Sequence, residues 1–219
     1  MMRPKPILLV AATLIFLANL SSASHAAIVP PSGKLNFAVM RKGEKIGTHV
    51  LSFHRDQDKL DVDIKTRIAV KIAFITVYRY EHDGHEVWQG GKLIGMQTKT
   101  NDDGTNHTLT VSATDGGKLR VVGDGHELTA AQNAVPASLW NPAFIRTHAL
   151  MNSLVGTPLD IKVAYIGKEA ITVKGRTVNA FHYSLTGEMP RELWYDENWV
   201  LIRMTLTGED GSAVQYVLN

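Results

Sequence analysis

His82 and His85 are separated by two residues in "YEHDGHEVW" and flanked by Glu81, Asp83 and Glu86. His-x-x-His among carboxylates has the donor types of a zinc site. The spacing works against it. On a continuous strand, residues three apart point to opposite faces, so the imidazoles converge only if Asp83-Gly84 makes a tight turn. Asp-Gly is a hairpin signal, which leaves that arrangement open. The simpler reading is surface histidines beside a turn, and no metal site and no cofactor is predicted. His49, His54, His107, His126, His148 and His182 are scattered singly. There is no Gly-x-Ser-x-Gly elbow, no phosphate loop and no His-Glu-x-x-His. A triad assembled only in space stays open, but no catalytic residue is predicted.

Binding chemistry is better represented. "ELWYDENWVLIRM", Glu192 to Met204, carries Trp194 and Trp199 around the turn signal Asp196-Glu197-Asn198. It predicts a hairpin of Leu193–Tyr195 and Trp199–Met204, covered on both faces at its tip. Trp88 and Trp140 stand where a strand and a helix entry approach the core. Packing is the default for such aromatics, while apolar concave pockets are where small molecules bind. Trp88, Trp140, Phe144, His148, Trp194 and Tyr195 are therefore the predicted ligand contacts. Trp140 and Trp194 are expected to meet and form one wall of a concavity. His148 reads as either a base facing that cavity or, more simply, a packed histidine with one hydrogen-bond partner. Arg146 reads as a solvated charge or a salt-bridge partner.

The elements that must position these residues are mostly strands. From Leu60 to Tyr80 every even position is apolar, β-branched or aromatic, and the odd positions begin as Asp61, Asp63, Lys65 and Arg67. Such alternation is a half-buried strand. At about 3.3 Å per residue it would run about 70 Å, too long for a small domain. A break is expected near Lys71–Ala73, with both faces covered there, because the odd positions turn apolar through Ala73, Ile75 and Val77. Turn chemistry recurs at Lys42–Lys45, Gln89–Lys92, Asn101–Gly104, Asp115–Gly117 and Gly123–Gly125. Short strands at this spacing predict an antiparallel meander. "SLWNPAFIRTHALMNSLVG" interrupts it. Asn141 is a good N-cap, Pro142 suits the first helical position and Gly156 can end a helix. An apolar helix over 142–155 follows, buried on most sides. The predicted fold is all-β and mainly antiparallel: a strongly curved sheet or incomplete barrel with that one main helix in or against its concavity.

The chain opens "MMRPKPILLVAATLIFLANLSSASHA", with Arg3 and Lys5 before an apolar run and Ser24-His25-Ala26 after it. This predicts a secretory signal over residues 1–26, a flexible leader over 27–33, and one β-rich domain over 34–219. The expected location is periplasmic or secreted, with no transmembrane segment after signal cleavage. Of 23 Lys+Arg, two lie in residues 1–26, leaving 21 against 21 Asp+Glu. A mature chain without net charge or a basic block is not expected to bind nucleic acid. There is no Cys, which excludes a thiol nucleophile, thiolate metal ligands and disulfides.

In order along the chain, "FAVMRKGEKIGTH", "FITVYRYEHDGHEVWQGGKL", "TNDDGTNH", "SLWNPA" and "ELWYDENWV" resemble a family of uncharacterised exported proteins of proteobacteria, a domain of unknown function. The resemblance spans nearly all of the mature chain and implies no activity, cofactor or site residue. In architecture alone the predicted fold is similar to half-barrel periplasmic proteins that carry lipoproteins, which implies a function only by analogy. The expected function is a non-catalytic binding or carrier module for an apolar, lipid-like small molecule. The alternatives are an envelope assembly factor acting through a protein partner and a hydrolase with a spatially assembled site. The sequence leaves the oligomeric state open.

Overall fold

The computed structural model describes residues 29–219 other than His148 and Glu209. The expected signal, residues 27 and 28 of the expected leader, and the predicted ligand contact His148 lie outside the described residues. No helix among those described is long and apolar enough to cross a membrane.

Strands β1 (Lys34–Arg41), β2 (Glu44–Asp56), β3 (Lys59–Ile72), β4 (Ile75–Gln89), β5 (Lys92–Asp102), β6 (Thr105–Ala113), β7 (Lys118–Gly123) and β8 (His126–Ala131) follow one another as antiparallel neighbours. The hairpin signals act as expected. Lys42 and Gly43, Gly90 and Gly91, Asp103 and Gly104, and Asp124 and Gly125 all take positive φ, which tight reversals matched to strand twist require. Residues 29–33, the remainder of the expected leader, are tied to the sheet. Gly33 N donates to Pro30 O, and Gly33 O accepts from Phe53 N of β2.

Next come β9 (Val135–Pro136), α1 (Phe144–Thr147), β10 (Leu150–Met151) and β11 (Pro158–Leu159), then β12 (Ile161–Val173), β13 (Arg176–Gly187), β14 (Arg191–Tyr195), β15 (Leu201–Thr207) and β16 (Ala213–Leu218). β16 pairs with β1. The main sheet therefore has 13 strands in the order β12-β13-β14-β15-β16-β1-β2-β3-β4-β5-β6-β7-β8. It is not closed; β12 and β8 are its edges. It curls about one face. Tyr80 of β4 lies within electrostatic reach of Arg191 on β14, although five strands separate β4 from β14 in the sheet.

The predicted helix over 142–155 shrinks to four residues. Asn141 Oδ1 does accept from Ala143 N, as an N-cap should. The chain then leaves the helix, because tertiary partners override local propensity. Ala149 O accepts from Val135 N and Met151 O from Ala137 N, and β10 lies between β9 and β11 in a small second sheet. The segment from Gln132 to Asp160 is a plug, not a helix. Gln132 Nε2 donates to Leu93 O, and Thr98 Oγ1 donates to Ser153 O. A side chain at Gly156, with φ +80°, would run into Val121 and Leu109. Because this segment packs on more than one side, its apolar residues carry no reliable period.

The long alternating run does break where expected, with Ala73 at φ 54°. Its even positions Leu60, Val62, Ile64, Thr66 and Ile68 are buried. The expected cover at the break is absent. Ile72, Phe74, Ile75 and Val77 are exposed, Phe74 to 99%. The β3–β4 hairpin runs past the body of the sheet, so its apolar odd positions meet no second layer.

Candidate functional site

A cavity of about 750 Å³ lies on the concave face, within the range of about 300–1,000 Å³ usual for small-molecule sites. Its walls come from strands on both sides of the β1–β16 pairing, and its floor from Ala137–Leu139 and Asn152–Leu154 of the plug. Ile46, Ile64, Ile68, Val70, Leu206 and Val214 make much of it apolar. The exposed hairpin stands at its rim, since Ile72 and Val77 also line it.

The polar part of the wall is built by phase. In β3 and β4 the buried set contains Thr66, His82 and Glu86 beside the apolar residues, and β2 contributes the buried His49. His49 Nδ1 lies 2.7 Å from Thr66 Oγ1, and His82 Nδ1 lies 2.7 Å from Thr100 Oγ1. Burial lowers His49 to about 3, with the nearby His82 acting in the same direction. Burial also lowers His82 to about 4; Asp83 opposes that shift and Arg67 adds to it. Both rings are thus neutral near pH 7, each with one donor and one acceptor nitrogen. His49 is edge-on to the Tyr216 ring, centroids 5.5 Å apart. Tyr80, Tyr216 and Arg191 also belong to the polar lining.

Beyond this cavity a buried carboxyl ties the plug to the sheet. Glu86 is 0% exposed. Its Oε2 accepts from Nε1 of both Trp88 and Trp140, at 2.9 Å each. The two indoles meet edge to face, 5.6 Å between centroids, and Phe53 packs edge-on to Trp140. Burial raises the Glu86 carboxyl above its usual range, while Ser138, the two indoles and His85 pull it back. Ser138 Oγ lies close to the carboxyl, yet neither it nor Glu86 Oε1 completes a hydrogen bond of normal geometry. A carboxyl held by two apolar-ringed donors, with no nucleophile bonded to it, is an anchor.

The predicted ligand contacts divide. Trp88 and Trp140 come together, but on Glu86, each only 2% exposed. Trp88 also lines a smaller cavity of about 340 Å³ with Leu93, Val135 and Ala143. Phe144 is fully buried. Tyr195 points inward, and its hydroxyl donates to Leu139 O at 2.7 Å, so it holds the plug from the other wall. Trp194 does not meet Trp140. As Tyr195's neighbour on a strand it points to the opposite face, where it stacks on His182 at 4.3 Å and donates to Glu169 Oε1 at 2.6 Å. None of the described members of the predicted set lines the larger cavity. The predicted hairpin exists as β14 and β15, but Trp199 lies in the turn, at φ 60°.

Asp83-Gly84 makes no turn; it sits inside β4, opposite Lys65 and Ile64. His82 is therefore buried while His85 faces outward, its Nδ1 2.8 Å from Asp63 Oδ1. Among the described residues no group of three or more His, Asp or Glu is placed to hold a metal ion. The residues that sequence reasoning missed, His49, Thr66, Tyr80, His82, Arg191 and Tyr216, share one signal. They are polar or amphipathic residues in the buried phase of their strands.

The model of a family described as a domain of unknown function (DUF6134) matches residues 37–219. No curated protein matches the sequence. Among solved structures the fold is similar to a β-barrel-like protein of another domain of unknown function, DUF1849, from Brucella abortus. The two share 10% identity with a TM-score of 0.60, over 85% of this chain and 94% of that one. A DUF1089 family protein from Pseudomonas aeruginosa also aligns, at 15% identity and a TM-score of 0.35, over 87% of this chain and 95% of that one.

Proposed function

The chain belongs to the DUF6134 family, and from that premise we propose that it is a non-catalytic carrier for an apolar, lipid-like small molecule, exported to the periplasm or beyond. The observation that carries this reading is the cavity of about 750 Å³, much of whose wall is apolar. A concave apolar surface of that size is costly to leave facing water. The plug fills one end of the sheet's concavity and leaves this space at the other. The exposed Ile72, Phe74 and Ile75 at the rim suit a chain that takes its cargo from an apolar source. The hydrolase reading gains nothing here, because no serine hydroxyl is hydrogen-bonded to a histidine among the described residues.

One observation favours a second reading. The same exposed tip suits an envelope assembly factor that docks a protein partner, since contiguous exposed apolar side chains mark interaction surfaces. Titration with an environment-sensitive naphthylamine probe separates the two. The carrier takes up probe saturably, at one per chain, and Val214→Trp, which fills the cavity, abolishes uptake while the protein stays folded. Absence of saturable uptake by the wild-type protein rejects the carrier.

A further inference from the structure

The cavity holds a charge for which the described residues supply no counter-ion. We propose that the cargo is an amphiphile with an anionic head, bound by Arg191 with the hydroxyls of Tyr80 and Tyr216, and with its chain on the apolar wall. This rests on the carrier reading above and names the class of its ligand.

Arg191 belongs to β14 and lines the cavity. Its hydrogen bond is to the carbonyl of its own neighbour Pro190, Nη1 to O at 2.8 Å. A guanidinium has five donors, so most of this fork is uncommitted. Three other arginines of the sheet behave differently. Arg41 is paired with Asp210, Arg67 with Asp83 and Arg120 with Glu127. Among the described residues no carboxylate lies within ion-pair distance of Arg191. Burial works against its charge, and the phenols of Tyr216 and Tyr80 lie near enough to act on it.

Those phenols come from opposite walls, β4 and β16, and only the curl of the sheet brings them to one guanidinium. Neither hydroxyl has a hydrogen-bond partner among the described residues, unlike Tyr78, whose hydroxyl donates to Asp102 Oδ1 at 2.8 Å. Burial raises both above the usual phenol range, Tyr216 to about 12, so each remains a donor. Three donor groups with one positive charge therefore face the same space. Every acidic side chain on the rim is engaged elsewhere. Asp102 accepts from Tyr78, Asp103 from Arg79 N, Glu188 from Asp160 N, and Asp210 from Arg41, Lys42 and Ser212. None of the four lies within ion-pair distance of Arg191.

Such a site discriminates. Arg takes carboxylates and phosphates bidentately, and a neutral head would leave the guanidinium desolvated and unpaired. Ile64, Ile68, Val70, Leu206 and Val214 of the same lining give the apolar chain of such an amphiphile its stretch of wall.

The test is displacement of the naphthylamine probe, above the pKa of a fatty acid, by palmitate, hexadecanol and palmitoyl lysophosphatidate. Wild-type protein is expected to prefer palmitate to hexadecanol by about tenfold to a hundredfold, the range that a charge-assisted bond supplies. Arg191→Gln is expected to erase that preference and leave hexadecanol unchanged, while Arg191→Lys restores part of it. Tighter binding of lysophosphatidate than palmitate, also lost in Arg191→Gln, assigns the head as a phosphate monoester; the reverse order assigns a carboxylate. Equal binding of acid and alcohol by the wild type, or a preference that survives Arg191→Gln, overturns the proposal and leaves the carrier standing. Failure of every amphiphile to displace probe removes both. Probe uptake by each variant confirms that it is folded.

Discussion

Glu86 is the group whose replacement separates most cleanly what the fold needs from what it tolerates. Its Oε2 accepts from two indole N–H groups on rings that are each 2% exposed. Glu86→Ala leaves both donors buried without an acceptor, at about 1–3 kcal/mol each. The expected loss is about 4 kcal/mol, a large share of the roughly 5–15 kcal/mol that holds a domain folded. Glu86→Gln keeps an acceptor oxygen in place and is expected to cost no more than about 1 kcal/mol near neutral pH.

The same pair of variants carries a pH signature. Burial raises the folded carboxyl above its ordinary value of 4.5, so the native state binds the proton more tightly than the unfolded chain does. By linkage, this group's contribution to stability is full below about 4.5 and falls as pH rises toward the folded pKa. Glutamine does not titrate. The wild type should therefore lose ground to Glu86→Gln as the pH rises from about 4.5, and the difference between them isolates this carboxyl from every other titrating group. Urea unfolding followed by tryptophan fluorescence, with the m-value checked for constancy, measures it. The reasoning is refuted if Glu86→Ala is as mild as Glu86→Gln, or if the difference between wild type and Glu86→Gln is flat with pH.

Two further outcomes follow from the cavity wall and the aromatics. Folded His49 and His82, lowered from 6.5 to about 3 and about 4, contribute stability that is full above about 6.5 and is lost as pH falls toward the folded values. At about 1.4 kcal/mol per unit, His82→Gln should remove on the order of 3 kcal/mol of acid sensitivity, and an acid-unfolding slope that does not change counts against it. Trp140→Ala should cost about 3–5 kcal/mol as a buried ring, whereas Trp194→Ala, which loses an outer-face stack and one hydrogen bond, should cost about 1–2 kcal/mol. Equal losses in chemical denaturation would contradict their placement on opposite faces.

The sheet was legible because its signals are local. Lys42-Gly43, Asp103-Gly104 and Asp124-Gly125 reverse the chain by backbone conformations that their side chains permit, and the even residues from Leu60 to Ile68 fill one face. The failures came where tertiary contacts override local preference. The segment after Asn141 carries a good cap and good helix formers, yet Leu150 and Met151 find strand partners in Val135, Pro136, Pro158 and Leu159. At the β3–β4 tip the alternation continues past the point where anything lies above or below it. Period two reports which side chains share a face, and it does not report where the opposite layer ends.

The site was hidden for a related reason, and the residues show what would have found it. Large aromatics in the buried phase, Trp88, Trp140 and Tyr195, proved to be the fasteners between sheet and plug, because a big ring that excludes water is most useful where two layers meet. The cavity is marked by the opposite kind of residue. His49, Thr66, Tyr80, His82 and Thr100 interrupt runs of apolar residues on the inward face of β2 to β5, and Arg191 and Tyr216 do so on β14 and β16. A polar group on an inward face must find a partner or keep contact with water. His49 finds Thr66 on the adjacent strand, and His82 finds Thr100 on the next. Among the described residues Tyr80 and Tyr216 find no hydrogen-bond partner and Arg191 finds only the Pro190 carbonyl, so the space before them is open to solvent, or to a ligand that replaces it. The curl of the sheet converts that pattern from separate strand positions into one site.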